Sequence, residues 1–284
     1  MRHYKYFLLF LLSLMLMGCS NNDTKVTDSY SINEVENISV KVQSYQLIIR
    51  ESTDDQIHVK YNGAKKEQQK VSVELSNSEL NISQKDSSDN DTLFSGLSFG
   101  KTGEIDIYIP ESYGKDLDIS NGSGEAELSS LILSGLTISN NSGYLSVESV
   151  KADKGIFKSD SGDIKLKDST IGNMNIDTES AYIFCTDNEA SDVKICSASG
   201  EINISGLPEL CNAYIENSSG DITISFKTSP KDLSVNIATN SDDISCKLNN
   251  IEYTTNIPSN KKGIIGDGNY ILAVSSDEGT IIVR

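Results

Sequence analysis

Basic residues are in short supply: 24 Lys and Arg stand against 41 Asp and Glu in 284 residues, a formal net charge of −17. That balance excludes nucleic acid, whose phosphates demand basic patches, and a polybasic grip on anionic lipid. Histidine is scarcer still, with two in the chain, one of them in the leader. His58 has no second histidine with which to build a His-based metal site or a conventional triad. Its strand parity, opposite Ile57, Val59 and Tyr61, points it to solvent. None of the five cysteines forms a Cys-x-x-Cys metal pattern, and the nine-residue Gly-Gly-x-Gly-x-Asp calcium repeat is missing. The apolar fraction of 37% is low for a globular domain. A narrow coil with a single file of inward side chains accounts for it, and strict periodicity speaks against disorder.

The one long apolar run, Tyr6 to Met17, is too short to span a bilayer comfortably. Arg2 and Lys5 precede it and Leu16-Met17-Gly18-Cys19 ends it, the arrangement of a secretory signal. The ending resembles a bacterial lipobox. The resemblance implies cleavage before Cys19, acylation of its thiol with a palmitate-type chain, and an extracytoplasmic protein held to the bacterial membrane by its N-terminal lipid. Losing Arg2 and Lys5 takes the net charge from −17 to −19. The expected segments are a signal peptide (1–18), a polar tether (19–30), an N-terminal β-rich section (31–110), solenoid repeats (111–248), and an irregular excursion with a C-terminal capping coil (249–284).

From Leu117 to Cys246 one short phrase recurs: apolar-x-apolar-polar-x-x-Ser-Gly-acid-apolar-x-apolar. Its corner residues are Gly124, Gly143, Gly162, Ala181, Gly200, Gly220 and Asp242, at steps of 19, 19, 19, 19, 20 and 22 residues, and Gly279 starts another copy 37 residues on. Such a period predicts an all-β parallel β-solenoid, each copy one turn of a coil. Numbered from the corner, positions −7, −5, +2 and +4 are apolar and face inward by alternation. The expected reason for glycine is a positive φ at the corner; Asp242 tolerates that region and Ala181 does not, so the Ala181 corner is expected to be reshaped or strained. Ahead of the repeats, the segment from Ile32 to Pro110 reads as strands with a hairpin turning at Asn77-Ser78. Between them lies a loop whose Leu93, Phe94, Leu97 and Phe99 form either a lid over the coil end or a sticky tip.

Cys185 and Cys246 share the inward +4 position three coils apart, roughly 14 Å at strand spacing and beyond disulfide reach. Cys196 faces out, and Cys211 is out of register with it. Corner acids at +1 include Glu125, Asp163, Glu201, Asp221 and Asp243. Of these, Asp163, Glu201, Asp221 and Asp243 are weak candidates for a calcium ion between coils, against a plainer reading as solvated corners. Outward aromatics form the candidate binding face: Tyr144 and Tyr182 in the +1 column, Phe184 at +3, and Tyr214 on the neighbouring sheet.

The run Ile105–Pro110, then Leu117-Asp-Ile-Ser-Asn-Gly-Ser-Gly-Glu and the repeated Ser-Gly-Asp/Glu-Ile corners, resemble a bacterial family of adhesin-like β-strand-repeat proteins of unassigned function. The similarity covers about Ile32 to Arg284. It implies a secreted or membrane-anchored solenoid and supplies no catalytic residues. The leading expectation is a non-enzymatic module without cofactor, binding an envelope protein or glycan. A carbohydrate-active enzyme or a calcium-dependent adhesin working through the acidic corners is the alternative.

Overall fold

The computed structural model describes residues 26–62, 70–85, 103–241 and 243–284. Cys19 and the leader, the loop residues Leu93, Phe94, Leu97 and Phe99, and Asp242 lie outside the described residues. Helical structure among the described residues is confined to two 3-10 turns, Ile32–Glu34 and Glu111–Tyr113. Everything else of regular shape is strand, arranged in two sheets of 12 and 13 strands, called A and B here.

Each coil lays one strand in sheet B, turns at the Ser-Gly corner, and lays a shorter strand in sheet A. In chain order the repeats are β8 (Asp116–Asn121) with β9 (Ala126–Ser129), β10 (Ile132–Asn140) with β11 (Leu145–Glu148), and β12 (Lys151–Ser159) with β13 (Ile164–Lys167). Then come β14 (Thr170–Ser180) with β15 (Ile183–Thr186), β16 (Asp192–Ser199) with β17 (Ile202–Leu207), and β18 (Asn212–Ser219) with β19 (Ile222–Phe226). All neighbours within this set pair parallel, and in register except for a shift between Ser205 and Leu207 where β17 meets β19. Ile164, Ile183, Ile202 and Ile222 are successive partners in sheet A, and each is completely buried. Burial of such a side chain stabilises by roughly 1.5–3 kcal/mol, and each coil supplies several.

One column in sheet B shows how volume is shared between neighbouring positions. Leu117 and Leu136 at −7 give way to Gly155, and Ile138 at −5 gives way to Phe157, the largest fully buried side chain. A Cβ at Gly155 would press on the Phe157 ring and on Ile171. The glycine therefore vacates the space that the ring fills.

A second inward column went unpredicted. Position −3 continues the parity of −7 and −5, and there Asn121, Asn140, Ser159, Thr178, Ser197 and Asn217 are buried. Asn121 Nδ2 donates to the Gly124 carbonyl at 2.6 Å and to Asn140 Oδ1 at 2.7 Å. Asn140 donates to the Gly143 carbonyl and to Ser159 Oγ, and Ser159 Oγ donates to the Gly162 carbonyl at 2.6 Å. Asn121 and Asn140 thus close their own corners while reaching their counterparts one coil along, so that their buried amide N–H groups are satisfied.

The reason for glycine at the corner is also corrected. Gly124, Gly143 and Gly162 do not have positive φ. What they need is room: a Cβ on Gly143 or Gly162 would collide with the carbonyl oxygen of Gly124 or Gly143, the corner below. At Ala181 the corner is built differently. There β14 runs on to Ser180, which pairs with Ser199, and Thr178 donates sideways to Ser197 Oγ at 3.0 Å. After that point the corner glycines do turn positive, with φ of 113° at Gly200, 124° at Gly220 and 136° at Gly279. Left-handed residues form a column at the second corner instead, six residues on: Ser130, Ser149, Asp168 and Asp187 have φ between 49° and 57°, and Gly206 follows at 78°.

Both ends break chain order. At the start, β2 (Asn37–Val42) and β3 (Gln46–Glu51) make a coil lying directly on β8 and β9, so the section before residue 110 continues the same two sheets. Outside it lies a coil made later in the chain, β6 (Glu79–Gln84) with β7 (Glu104–Ile109). Antiparallel strands finish that end: β4 (Gln56–Asn62) and then β1 (Val26–Ser31) in sheet A, and β5 (Val71–Ser76) in sheet B, where β5 and β6 form the expected hairpin.

The other end mirrors this. The coil β24 (Tyr270–Glu278) with β25 (Ile281–Val283) does not cap the stack but slots in beside β18 and β19. The coil β20 (Leu233–Thr239) with β21 (Ile244–Cys246) lies outside it, followed by the hairpin β22 (Glu252–Ile257) and β23 (Asn260–Ile265). The terminal cover is therefore the excursion, and the final segment is interior. Cys185 and Cys246 consequently stand four rungs apart, about 19 Å at strand spacing.

Candidate functional site

The outer face of sheet A carries the +1, +3 and +5 side chains. Tyr144 (38% exposed), Asp163 and Tyr182 (49%) follow one another in the +1 column, and Phe184 (39%) lies two residues beyond Tyr182. Alternate coils put the two tyrosines about 9.6 Å apart, and one strand step separates Tyr182 from Phe184 by roughly 7 Å. The carbonyls of Tyr144 and Tyr182 accept from the N–H groups of Ala126 and Ile164 at 2.9 Å, so the ladder itself fixes the rings' backbone. Lys165 and Asn203 are the cross-strand neighbours of Phe184. Tyr214 (42%) is on the opposite face of the molecule, in sheet B beside Lys194. The structure thus unites three of the four predicted aromatics and separates the fourth.

The acidic corners have a backbone role. Asp163 Oδ1 accepts from the Tyr182 N–H at 3.1 Å, Asp221 Oδ1 accepts from the Thr280 N–H at 2.8 Å, and Asp243 Oδ2 accepts from the Thr280 hydroxyl at 3.0 Å. At Asp163 and Asp221 the +1 carboxylate therefore satisfies a backbone N–H of the adjacent coil. Among the described residues no three His, Cys, Asp or Glu side chains converge in a way that could hold a metal. Lys167 pairs with Glu148 at 2.7 Å and with Asp168 at 3.1 Å, ion pairs that raise its pKa.

The four cysteines Cys185, Cys196, Cys211 and Cys246 are free. Burial pushes the Cys185 and Cys211 thiols up to about 12. Cys196 is also raised, chiefly by burial, in an open groove on sheet B lined by Asp177, Glu179, Glu216 and Asp277.

His58 is not simply solvated. Its Nδ1 lies 2.8 Å from Ser29 Oγ and its Nε2 2.8 Å from Asp54 Oδ1, and this bond is the first cause of the lowered Asp54 pKa. One histidine suffices for such a trio, which sequence reasoning missed. Here the hydroxyl meets Nδ1 and the carboxylate Nε2, the reverse of a hydrolase triad. Ser29 and His58 are direct cross-strand partners, and Asp54 also caps the Gln56 N–H at 3.0 Å. The arrangement pins the edge strand β1 to β4. Alongside, Tyr108 has Lys60 over its ring at 4.3 Å and Arg50 at 5.5 Å, and Arg50 pairs with the buried Asp106 at 3.0 Å.

No curated protein matches the chain. Among solved structures, a "putative adhesin" from Bacteroides fragilis superposes with a TM-score of 0.52 at 17% identity, over 92% of this chain and 97% of that one. Two proteins from Parabacteroides distasonis, a "putative adhesin" at 12% identity and a "putative lipid binding protein" at 14%, each superpose with a TM-score of 0.50 over 93% of this chain and 98% of theirs. At such identities the likeness is one of fold. The sequence model of the Toastrack DUF4097 family matches residues 35–284, nearly the whole stack, and the chain belongs to that family.

Proposed function

We propose that this protein is a non-catalytic binding module of the bacterial cell surface, lipid-anchored through Cys19, that meets an envelope protein or glycan with the outer face of sheet A. The observation that carries this reading is the cluster of Tyr144, Tyr182 and Phe184, exposed on a parallel ladder whose backbone is fixed from coil to coil. Solvated rings on a stiff, flat surface lose little freedom on binding, so they suit contact better than chemistry. Asp163, the acid between the two tyrosines in the +1 column, serves the backbone, which supports a binding role over hydrolysis. Adhesin names among the fold neighbours agree with this reading. The test is attachment of bacteria displaying the full chain to cells or isolated envelopes. Replacing Tyr182 and Phe184 together by Ala should abolish attachment, while Tyr214→Ala leaves it intact; equal loss from both changes would refute the assignment of the face.

A further inference from the structure

The geometry points to an extended, neutral, β-linked polysaccharide as the occupant of the sheet A face, held by Tyr144, Tyr182 and Phe184. This inference rests on the binding-module reading and specifies its ligand.

Spacing comes first. Two aromatic side chains of the +1 column, Tyr144 and Tyr182, stand two coils apart, about 9.6 Å at strand spacing. In an extended β-1,4-linked chain each sugar is turned over relative to its neighbour. The same C–H face therefore recurs every second sugar, at close to this interval. Those C–H bonds are weakly positive and pack on the negative face of an aromatic ring.

Polar groups come second. Between the two tyrosines stands Asp163, with Oδ1 committed to the Tyr182 N–H at 3.1 Å, so its position is fixed. A fixed carboxylate between two rings is placed to accept from a sugar hydroxyl. Lys165 and Asn203 flank Phe184 and supply donors on the other side.

Charge comes third. Glu125 and Glu201 continue the +1 column on either side of Tyr144–Asp163–Tyr182, in a chain of net charge −17. Along this column an anionic polymer meets Glu125, Asp163 and Glu201 and is repelled, whereas a neutral one meets no such penalty.

The experiment measures depletion of the full chain, in detergent micelles, by insoluble cellulose and by chitin. Wild type should be retained, and soluble hydroxyethyl-cellulose should release it, while carboxymethyl-cellulose, the same backbone made anionic, should not. Tyr182→Ala should weaken retention about tenfold, and adding Tyr144→Ala about tenfold again. Tyr182→Phe should bind like wild type, and Tyr214→Ala should change nothing; unchanged melting curves show that each variant is folded. Failure of wild type to bind either solid, retention indifferent to Tyr182→Ala, or preferential release by the anionic polymer overturns the inference. If Tyr182→Ala loses cell attachment while wild type ignores both polysaccharides, the contact face stands, its partner is a protein, and the glycan inference falls alone.

Discussion

Replacing Gly162 by Ala tests the account of the corners most directly. The added Cβ would collide with the Gly143 carbonyl oxygen and with Asn140 Nδ2, which donates to that same carbonyl. Neither is the free end of a long side chain. The carbonyl belongs to the corner below, which itself rests on Gly124. Relief must therefore come from moving backbone, and overpacking of this kind costs about 1–3 kcal/mol. If the carbonyl shifts away, the buried Asn140 amide loses an acceptor, at about 1–3 kcal/mol more. The expected total is about 2–6 kcal/mol, which lowers the midpoint of thermal unfolding by on the order of 10 °C in a chain this long. Ala181→Gly is the matched control, because that corner already accommodates a methyl group and should lose only about 1 kcal/mol. Circular dichroism melts of the two full-length variants beside wild type are sufficient. If Gly162→Ala melts within about 2 °C of wild type, close approach is not what demands glycine there.

Three further outcomes are expected. Ser149, held at φ 57° in the second-corner column, should gain up to about 1 kcal/mol as Ser149→Gly and lose about 1–2 kcal/mol as Ser149→Val, measured by urea unfolding. Because burial keeps Cys185 protonated in the fold up to about 12, against an ordinary thiol value of 9.0, the folded state holds the proton that the unfolded chain releases. That contribution is complete below pH 9 and falls by about 1.4 kcal/mol per pH unit as pH rises from 9 towards 12, so Cys185→Ala should show a shallower decline between pH 9 and 11 in the same assay. Deleting residues 270–284 should expose the edges of β18 and β19 and release β20 to β23, seen as lost amide protection across residues 233–265 and as aggregation.

The column Ile164, Ile183, Ile202 and Ile222 was legible because apolar identity at a fixed offset directly expresses burial. The Asn121–Asn140–Ser159 ladder was equally visible in the sequence, at the same parity, but a polar residue reads as a surface residue unless its hydrogen-bond partners are known. Those partners lie 19 positions away or on the corner backbone. Glycine at the corner was recognised, and its expected torsion holds at Gly200, Gly220 and Gly279 but not at Gly124, Gly143 and Gly162: a single copy of the motif suggests a torsion, whereas the collision exists only when two copies are stacked. Periodicity is likewise blind to the order of stacking. Residues 233–246 and 270–283 carry the same signature, and nothing in either says which lies inside. At the aromatic face, offsets from the corner located Tyr144, Tyr182 and Phe184 on sheet A and Tyr214 on sheet B. His58 has the outward parity that was expected, but its contacts were not legible, because Ser29 and Asp54 meet it through strand pairing and a turn, neither of which is a local sequence pattern.

The interleaving at the far end bears on how the molecule is made. Residues 233–265 emerge from the ribosome before the layer they are to rest against has been synthesised. Growth in simple succession cannot finish this protein: the outermost layer must either wait loosely or let go and admit a latecomer. Completion is therefore a closing act, in which one late segment locks itself and its predecessor at once, and a chain interrupted just short of it leaves the predecessor with nothing to rest against.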